Sequence, residues 1–234
     1  GKREVSLACM GHMELTSVVY QPELISQDDL TQIIGNQKPT TYQVSPEVYQ
    51  KMAHRSTTEG VIALGKQKKH HISHMPPLGK NPLILVAEGI EKPGNIGAML
   101  RTADAAGIDA VLLPDMPSDL YNPNTIRASL GCVFTLPIAT GSSQEIIDFL
   151  QTNHIAIYSA TLQASIPYSQ WDATGPTAIV VGSEDRGVSE LFRKNSTQNI
   201  LIPMQGAMDS MNVSVAAAIL VFEAKRQRNL VSLK

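Results

Sequence analysis

The pattern of apolar and polar positions changes character near residue 82. Before it, apolar residues come in short groups of differing period. Residues 14–20 (ELTSVVY) alternate and are rich in β-branched side chains, which predicts a strand. Residues 27–34 place Leu30, Ile33 and Ile34 at helical spacing behind an acidic first turn. Residues 41–44 predict a second strand. Ser45-Pro46-Glu47 then supplies an N-cap, a proline at the first helical position and an acid in the first turn, opening a helix that runs through about His54. Residues 60–65 (GVIALG) read as a third strand and close a small α/β domain over residues 1–66. By itself this domain states no chemistry.

Residues 66–81 (KQKKHHISHMPPLGKN) carry a basic cluster, a double proline and no apolar period, and the reading sets a linker at 67–81. His70, His71 and His74 lack the Cys or carboxylate that would complete a metal site, so no metal is expected. The favoured reading is a solvated basic hinge, with a contact to a nucleic-acid backbone as the second.

From residue 82 to 234 the rhythm is strand, loop, helix, repeated. Strands are predicted at 83–87, 110–113, 155–159, 178–181 and 200–202, and helices at 95–106, 143–152, 189–194 and from about Asn212 onward. Continuous apolar runs of this length are those of strands buried on both faces, so five strands with intervening helices predict a parallel, doubly covered sheet. The last helix presents Val213, Val215, Ala216, Ala217, Ala218, Ile219, Leu220, Val221 and Phe222 and leaves no polar face. It is therefore expected to be buried on every side, in a deep core or a dimer interface.

Composition narrows the class. A chain of 234 residues buries roughly 70% of the surface its unfolded form exposes and needs no staples. Cys9 and Cys132 stand 123 positions apart without neighbouring ligand residues, which suggests neither a disulfide framework nor a zinc knuckle and fits a reducing cytoplasm. No apolar run approaches the roughly 18 residues that span a bilayer, so no membrane partner is expected. The chain opens at Gly1 rather than at a methionine, and the reading allows for a missing N-terminal segment. A net charge of −2 excludes a polyanion binder held by bulk charge. Residues 1–80 nevertheless hold nine Lys/Arg against seven Asp/Glu and the remainder ten against fourteen, which permits an RNA-facing first domain.

Three loops at strand ends carry the candidate chemistry. In EKPGNIGAMLR (91–101), Pro93-Gly94 turns the chain and Asn95 is the expected N-cap, while Ile96, Met99, Leu100, Ala103 and Ala106 form the core arc. Arg101 lies beyond that arc between Ala98 and Ala105, open to solvent or to close approach by a ligand. GSEDRG (182–187) has the two glycines of a phosphate loop without the following Lys-Ser/Thr, so a Walker site is rejected. Gly94 and Gly97 likewise fail the dinucleotide pattern. Glu184 is left as an acid at the carboxyl end of a central strand. The third loop runs from Ile202-Pro203-Met204 to Ser210 and Asn212. Lys225, Arg226 and Arg228 most simply complement the end of the last helix, with phosphate contact as the sharper reading.

Together these stretches resemble the three motifs of the SpoU/TrmH family of RNA ribose methyltransferases, in the SPOUT superfamily. Asn95, Gly97 and Arg101 match the first; Gly182, Ser183, Glu184 and Gly187 the second; Ile202-Pro203-Met204 with Ser210-Met211-Asn212-Val213-Ser214 the third. Met211 replaces the usual leucine, a swap that conserves volume. Arg127-Ala128-Ser129-Leu130-Gly131 also resembles a family signature. The resemblance covers roughly residues 82–228. Residues 1–5 and Thr58-Glu59-Gly60 are similar, more weakly, to a ribosomal-protein-like substrate-binding domain.

The resemblance implies a SPOUT-type sheet with a C-terminal deep trefoil knot, a homodimer, and S-adenosylmethionine bound by Thr161, Val181, Gly182, Ile202, Met204, Met211 and Asn212. Periodicity does not reveal a knot. Arg101, Asn95, Glu184, Ser210 and Asn212 become the implied catalytic set, with Arg101, Arg127, Lys66, Lys68, Lys69 and Arg226 as RNA contacts. Asn95 is expected to orient Arg101 or the substrate, and Glu184 to hold the loop and the arginine. The implied reaction is methyl transfer to a ribose 2′-hydroxyl, of ribosomal RNA ahead of transfer RNA. A silent RNA-binding protein and a base-nitrogen methyltransferase are the rival readings.

Overall fold

In the computed structural model, which describes residues 1–53, 59–207 and 210–232, an element without a sequence signal comes first. Helix α1 (Lys2–Met10) has no side-chain cap and buries only Val5 and Ala8, too thin a stripe to register as amphipathic. Strand β1 (Leu15–Tyr20) follows, then α2 (Gln27–Ile34), β2 (Thr40–Gln43), α3 (Pro46–Met52) and β3 (Val61–Gly65). Both helices start where their caps place them: Ser26 Oγ accepts from the Asp29 N–H at 3.1 Å and Ser45 Oγ from that of Val48 at 3.4 Å. Strand β1 is central, parallel to β2 and antiparallel to β3. Val5, Leu15, Val18, Tyr20, Ile25, Leu30 and Val61 form the core beneath it. Residues Gly1–Lys68 make one unit with the short turn Leu130–Thr135, where Gly131 at φ +88 lies against Leu7. The expected helix end at His54 and the match at Thr58 fall outside the described residues.

The second unit, Lys69–Ser129 with Leu136–Lys234, holds a seven-stranded sheet. Its elements are β4 (Leu83–Ala87), α4 (Pro93–Ala106), β5 (Ala110–Pro114), α5 (Pro123–Ala128), β6 (Ile138–Gly141), α6 (Ser143–Thr152), β7 (Ala156–Ala160), β8 (Ser165–Pro167), β9 (Thr177–Val181), α7 (Glu190–Asn195), β10 (Gln198–Leu201) and α8 (Val213–Ser232). Strand order is β6-β5-β4-β9-β7-β10-β8, with every pairing parallel. Five strands were expected and seven are present. The two additions are short and lie at the sheet's edges: β6 is half polar, and β8 contains Pro167, which only an edge strand tolerates.

Alternation distributes the core between the two faces. Ile84, Val86, Leu112, Ile157, Ala178 and Val180 pack with Ile146, Ile147 and Leu150 of α6 and Phe192 of α7. The intervening strand residues face the side where α4 and α8 pack on each other and on the sheet. The solvated hinge expected over 67–81 is in part docked. His71 bridges to Thr140 of β6, Ile72 is buried in the core, and His70 contacts the Ile138 carbonyl at 3.1 Å and the Tyr121 hydroxyl at 2.8 Å. Because a carbonyl only accepts, Nδ1 of His70 carries the proton and, in the neutral ring, Nε2 accepts from Tyr121.

Helix α8 also departs from expectation. Val213, Ala217, Leu220, Val221 and Ala224 are buried, but Val215 and Phe222 are each 50% exposed. Within one chain the all-apolar helix therefore has a covered face and an open one.

Candidate active site

In parallel α/β sheets ligands bind outside the carboxyl ends of the strands, where neighbouring strands send their connections to opposite sides. Here β4, β9, β7 and β10 deliver residues 88–95, 182–189, 161–164 and, among those described, 202–207 and 210–212 to that edge. Gly182 is required locally. A Cβ there would strike the backbone of Gly187 and Val188, and Ser183 bridges to Gly187, whose φ is +65. The loop is thus folded tightly on itself and presents Glu184 outward. Gly97 permits a second close approach, because a Cβ on it would lie 2.7 Å from the Ser129 backbone nitrogen and against Ala128 of α5.

Asn95 was expected to cap α4, but the cap position is Lys92. Pro93 starts the helix earlier and Asn95 stands inside the first turn, its side chain released for another task. That task is the centre of a relay. The Asn95 Nδ2 donates to Glu184 Oε1 at 2.5 Å, while the Lys92 ammonium pairs with Glu184 Oε2. Asn212 Nδ2 donates to Asn95 Oδ1 at 3.2 Å, and Asn212 Oδ1 accepts from the Ser214 N–H at 2.9 Å and hydroxyl at 2.6 Å. Both ends dictate the same direction. A carboxylate accepts only, so Asn95 must turn its NH2 to Glu184 and its oxygen to Asn212. A backbone N–H donates only, so Asn212 must turn its oxygen to Ser214 and its NH2 to Asn95. Hydrogen bonds from Lys92 first, and from Asn95 second, hold the Glu184 carboxyl below the ordinary carboxylate range, and the same pair raises Lys92.

The other candidates divide. Arg101 is exposed on α4 and has no hydrogen-bond or ion-pair partner among the described residues; Glu184, expected to hold it, is engaged by Lys92 and Asn95 instead. Arg127 is exposed on α5 and Lys69 is exposed. Lys66 pairs with Glu14 at 2.5 Å, and the Lys68 ammonium donates to the Gly11 carbonyl just past α1. Arg226 is held bidentately by Glu223 at 2.7 and 2.8 Å, one helical turn away, which neutralises it locally. Arg228 does not complement the end of its own helix. Its guanidinium donates to the carbonyls of Ala173, Asn81, Pro82 and Gly175, tying α8 to the entrances of β4 and β9.

Of the implied cofactor residues, the Thr161 N–H donates to the Ile200 carbonyl at 2.9 Å, which places the loops after β7 and β10 side by side. The Thr161 hydroxyl donates to Gln163 Oε1, which also accepts from Arg193. Val181 and Gly182 are buried, Ile202, Met204 and Met211 are half-buried, and Ser210 and Asn212 are exposed. Backbone amides and carbonyls beside these apolar side chains suit a neutral purine and a sulfonium, since no cationic side chain belongs to the set. Among the described residues no three His, Cys, Asp or Glu are grouped to hold a metal ion, and no helix is long and apolar enough to cross a membrane.

Sequence reasoning missed Lys92 and Glu88. Buried Glu88, directly after β4, accepts from the Ser143 hydroxyl and the Ser189 N–H, each at 2.8 Å, and so fixes the starts of α6 and α7. A lone acid behind an apolar run was the only signal for it.

A parallel sheet whose three strand-end loops interlock through side-chain amides defines an α/β enzyme with its centre on the carboxyl edge. Residues 82–222 match the SpoU rRNA Methylase family, and the chain belongs to that family. It is 32% identical over 186 residues to the 23S rRNA (guanosine(2553)-2'-O)-methyltransferase RlmP of Bacillus subtilis, covering 79% of this chain and 72% of that one. To the 23S rRNA (guanosine-2'-O-)-methyltransferase RlmB of Haemophilus influenzae it is 35% identical over 191 residues, with 79% and 78% covered. Among solved structures, an RNA 2'-O ribose methyltransferase superposes with a TM-score of 0.82 at 36% identity over 98% of this chain and 87% of the other. The SpoU methyltransferase AviRb of Streptomyces viridochromogenes, in complex with AdoMet, shares the fold at a TM-score of 0.88 and 24% identity, over 98% and 89% of the two chains.

Proposed function

We infer that this protein transfers a methyl group from S-adenosylmethionine to a ribose 2′-hydroxyl of RNA, with ribosomal RNA as the substrate class. The observation that carries the reading is the relay through Lys92, Glu184, Asn95 and Asn212, which joins the residues of all three motifs in one hydrogen-bonded line. Family membership and the activities of the RlmP and RlmB relatives support it.

When bound, S-adenosylmethionine supplies an already activated methyl group, and no metal is called for. Thr161, the backbone of Val181 and Gly182, and Ile202, Met204, Met211 and Asn212 hold it. The acceptor hydroxyl is a weak nucleophile, so the protein must align it and help remove its proton. A guanidinium donates and does not serve as a base, which suits Arg101 to grip an anion. It binds the phosphate beside the acceptor and polarises the hydroxyl, whose proton leaves to phosphate or water. Ser210 and Asn212 fix the ribose, and the 2′-hydroxyl itself distinguishes RNA from DNA.

The finer architecture is part of the same proposal. Residues 1–66 form a ribosomal-protein-like RNA-binding domain, 67–81 connect it, and 82–234 form the methyltransferase domain, whose C-terminal segment is threaded as a deep trefoil knot. The exposed stripe of Val215 and Phe222 on α8 is the face of a homodimer. Arg127 and Lys69 extend the RNA contact, and the protein works in the cytoplasm.

Incubation with ribosomal RNA and S-adenosylmethionine, nuclease digestion and nucleoside mass analysis test the reading. A 2′-O-methylnucleoside is expected. A base-methylated nucleoside assigns the nitrogen instead, and no methylated product leaves an RNA-binding protein without turnover.

A further inference from the structure

Lys92 stands where a helix start least tolerates it. At the N-cap of α4 it has extended backbone angles, φ −78 and ψ 117, and makes no side-chain cap hydrogen bond. Ser, Thr, Asp or Asn would cap there, and a cation opposes the positive end of the helix dipole. A residue that breaks its local rule beside a functional site points to a compensating role. The compensation is Glu184. Its two oxygens are divided, Oε2 to the Lys92 ammonium and Oε1 to the Asn95 amide.

We propose that Lys92 is a positioning residue for methyl transfer: by holding Glu184 it keeps the Asn95 and Asn212 amides turned in the single direction that the acceptor site uses. The two ends of an asparagine amide are nearly equal in shape, so only its partners decide which end points where. Glu91 from the segment before α4 and Asp185 from the Glu184 loop line the same cleft and act on Lys92, while the start of α8 brings Val213 to it and Asn212 reaches Asn95. Without Lys92 the carboxylate loses its cation in a cleft that two other acids also line, and turns toward water. Asn95 then loses its fixed acceptor, and its amide is free to flip so that two NH2 groups oppose each other at Asn212. Lys92 acts through Glu184 and touches neither substrate nor cofactor.

The inference rests on the proposed methyltransferase reading, and its test separates the two. Lys92→Met and Lys92→Arg are compared with the parent as full-length protein, using ribosomal RNA and S-adenosylmethionine. Lys92→Met is expected to lower kcat about tenfold, with cofactor affinity, RNA affinity and its salt dependence unchanged, and Lys92→Arg to recover most of the rate. Removing the ammonium raises Glu184 toward the ordinary carboxylate range, so the acid limb of kcat moves to higher pH in Lys92→Met. A parent rate with an unmoved acid limb overturns the proposal. So does an RNA affinity that falls with a salt slope reduced by about one, which makes Lys92 a phosphate contact. If the parent yields no 2′-O-methylnucleoside, the functional reading fails, and the Asn95 side-chain amide resonances decide the role of Lys92 alone. Their titration with Glu184 is expected at higher pH in Lys92→Met, and an unchanged titration overturns the proposal.

Discussion

Asn212 donates to Asn95 at 3.2 Å across 117 positions of sequence, joining the start of the last helix to the first turn of the helix behind β4. The pair works because each amide has one end committed elsewhere, Asn95 to Glu184 and Asn212 to Ser214. Asn95→Asp keeps the size and removes the donor. It sets a second carboxylate against Glu184, and two close acids cannot both stay ionised without repulsion. The expected result is a loss of about 100-fold in kcat with the fold retained by circular dichroism. A variant working at the parent rate removes Asn95 from the site.

Arg101 is six positions along the same helix and, among the described residues, has no anionic partner to neutralise it. If its task is to grip phosphate with a planar fork, lysine is no substitute, because a point charge lacks the paired donors. Arg101→Lys is expected to lose about 100-fold in kcat/KM while binding S-adenosylmethionine as the parent does. Equal turnover by the lysine variant reduces the role of Arg101 to charge alone.

Much of this was legible along the chain, for identifiable reasons. Residues 83–87 and 177–181 form unbroken buried runs, a pattern that belongs to central parallel strands. Residues 138–141 gave no such run, because half of β6 is polar and it follows Pro137; pairing with β5 makes it a strand. Asn95 was read by its type as a cap, yet Pro93 moved the helix start and freed it. Lys92 carried no signal, since its partner Glu184 lies 92 positions away and only folding brings them together. Arg228 misled in the opposite sense, its target being carbonyls at strand entrances instead of its own helix end.

A stability effect with a pH signature is expected at the edge of the sheet. Ser142 and Glu145 form a reciprocal cap on α6, and His71 pairs with Glu145 at 3.3 Å. The hydrogen bonds from the Ser142 backbone and hydroxyl, and then the charge of His71, lower the Glu145 carboxyl from its ordinary 4.5. A depressed folded value contributes stability that is fully present above the unfolded value and lost as pH falls through the folded one. Glu145→Gln therefore melts below the parent at pH 7, and the gap closes as pH drops beneath 4.5. A gap that is constant with pH assigns the effect to packing.

Val215 and Phe222 are seven positions apart on α8, two turns of one helical face, and each is half exposed, while Val213, Ala217, Leu220, Val221 and Ala224 of the same helix are buried. A two-fold dimer uses the same patch on both subunits, so one substitution counts twice. Losing a buried Phe on each side removes roughly 3–6 kcal/mol from association, before any cost of placing charge there. Phe222→Asp is thus expected to fold as the parent does, since the position is open in the single chain, and to run as a monomer by light scattering at micromolar concentration. A parent-sized dimer from this variant places the interface on another face.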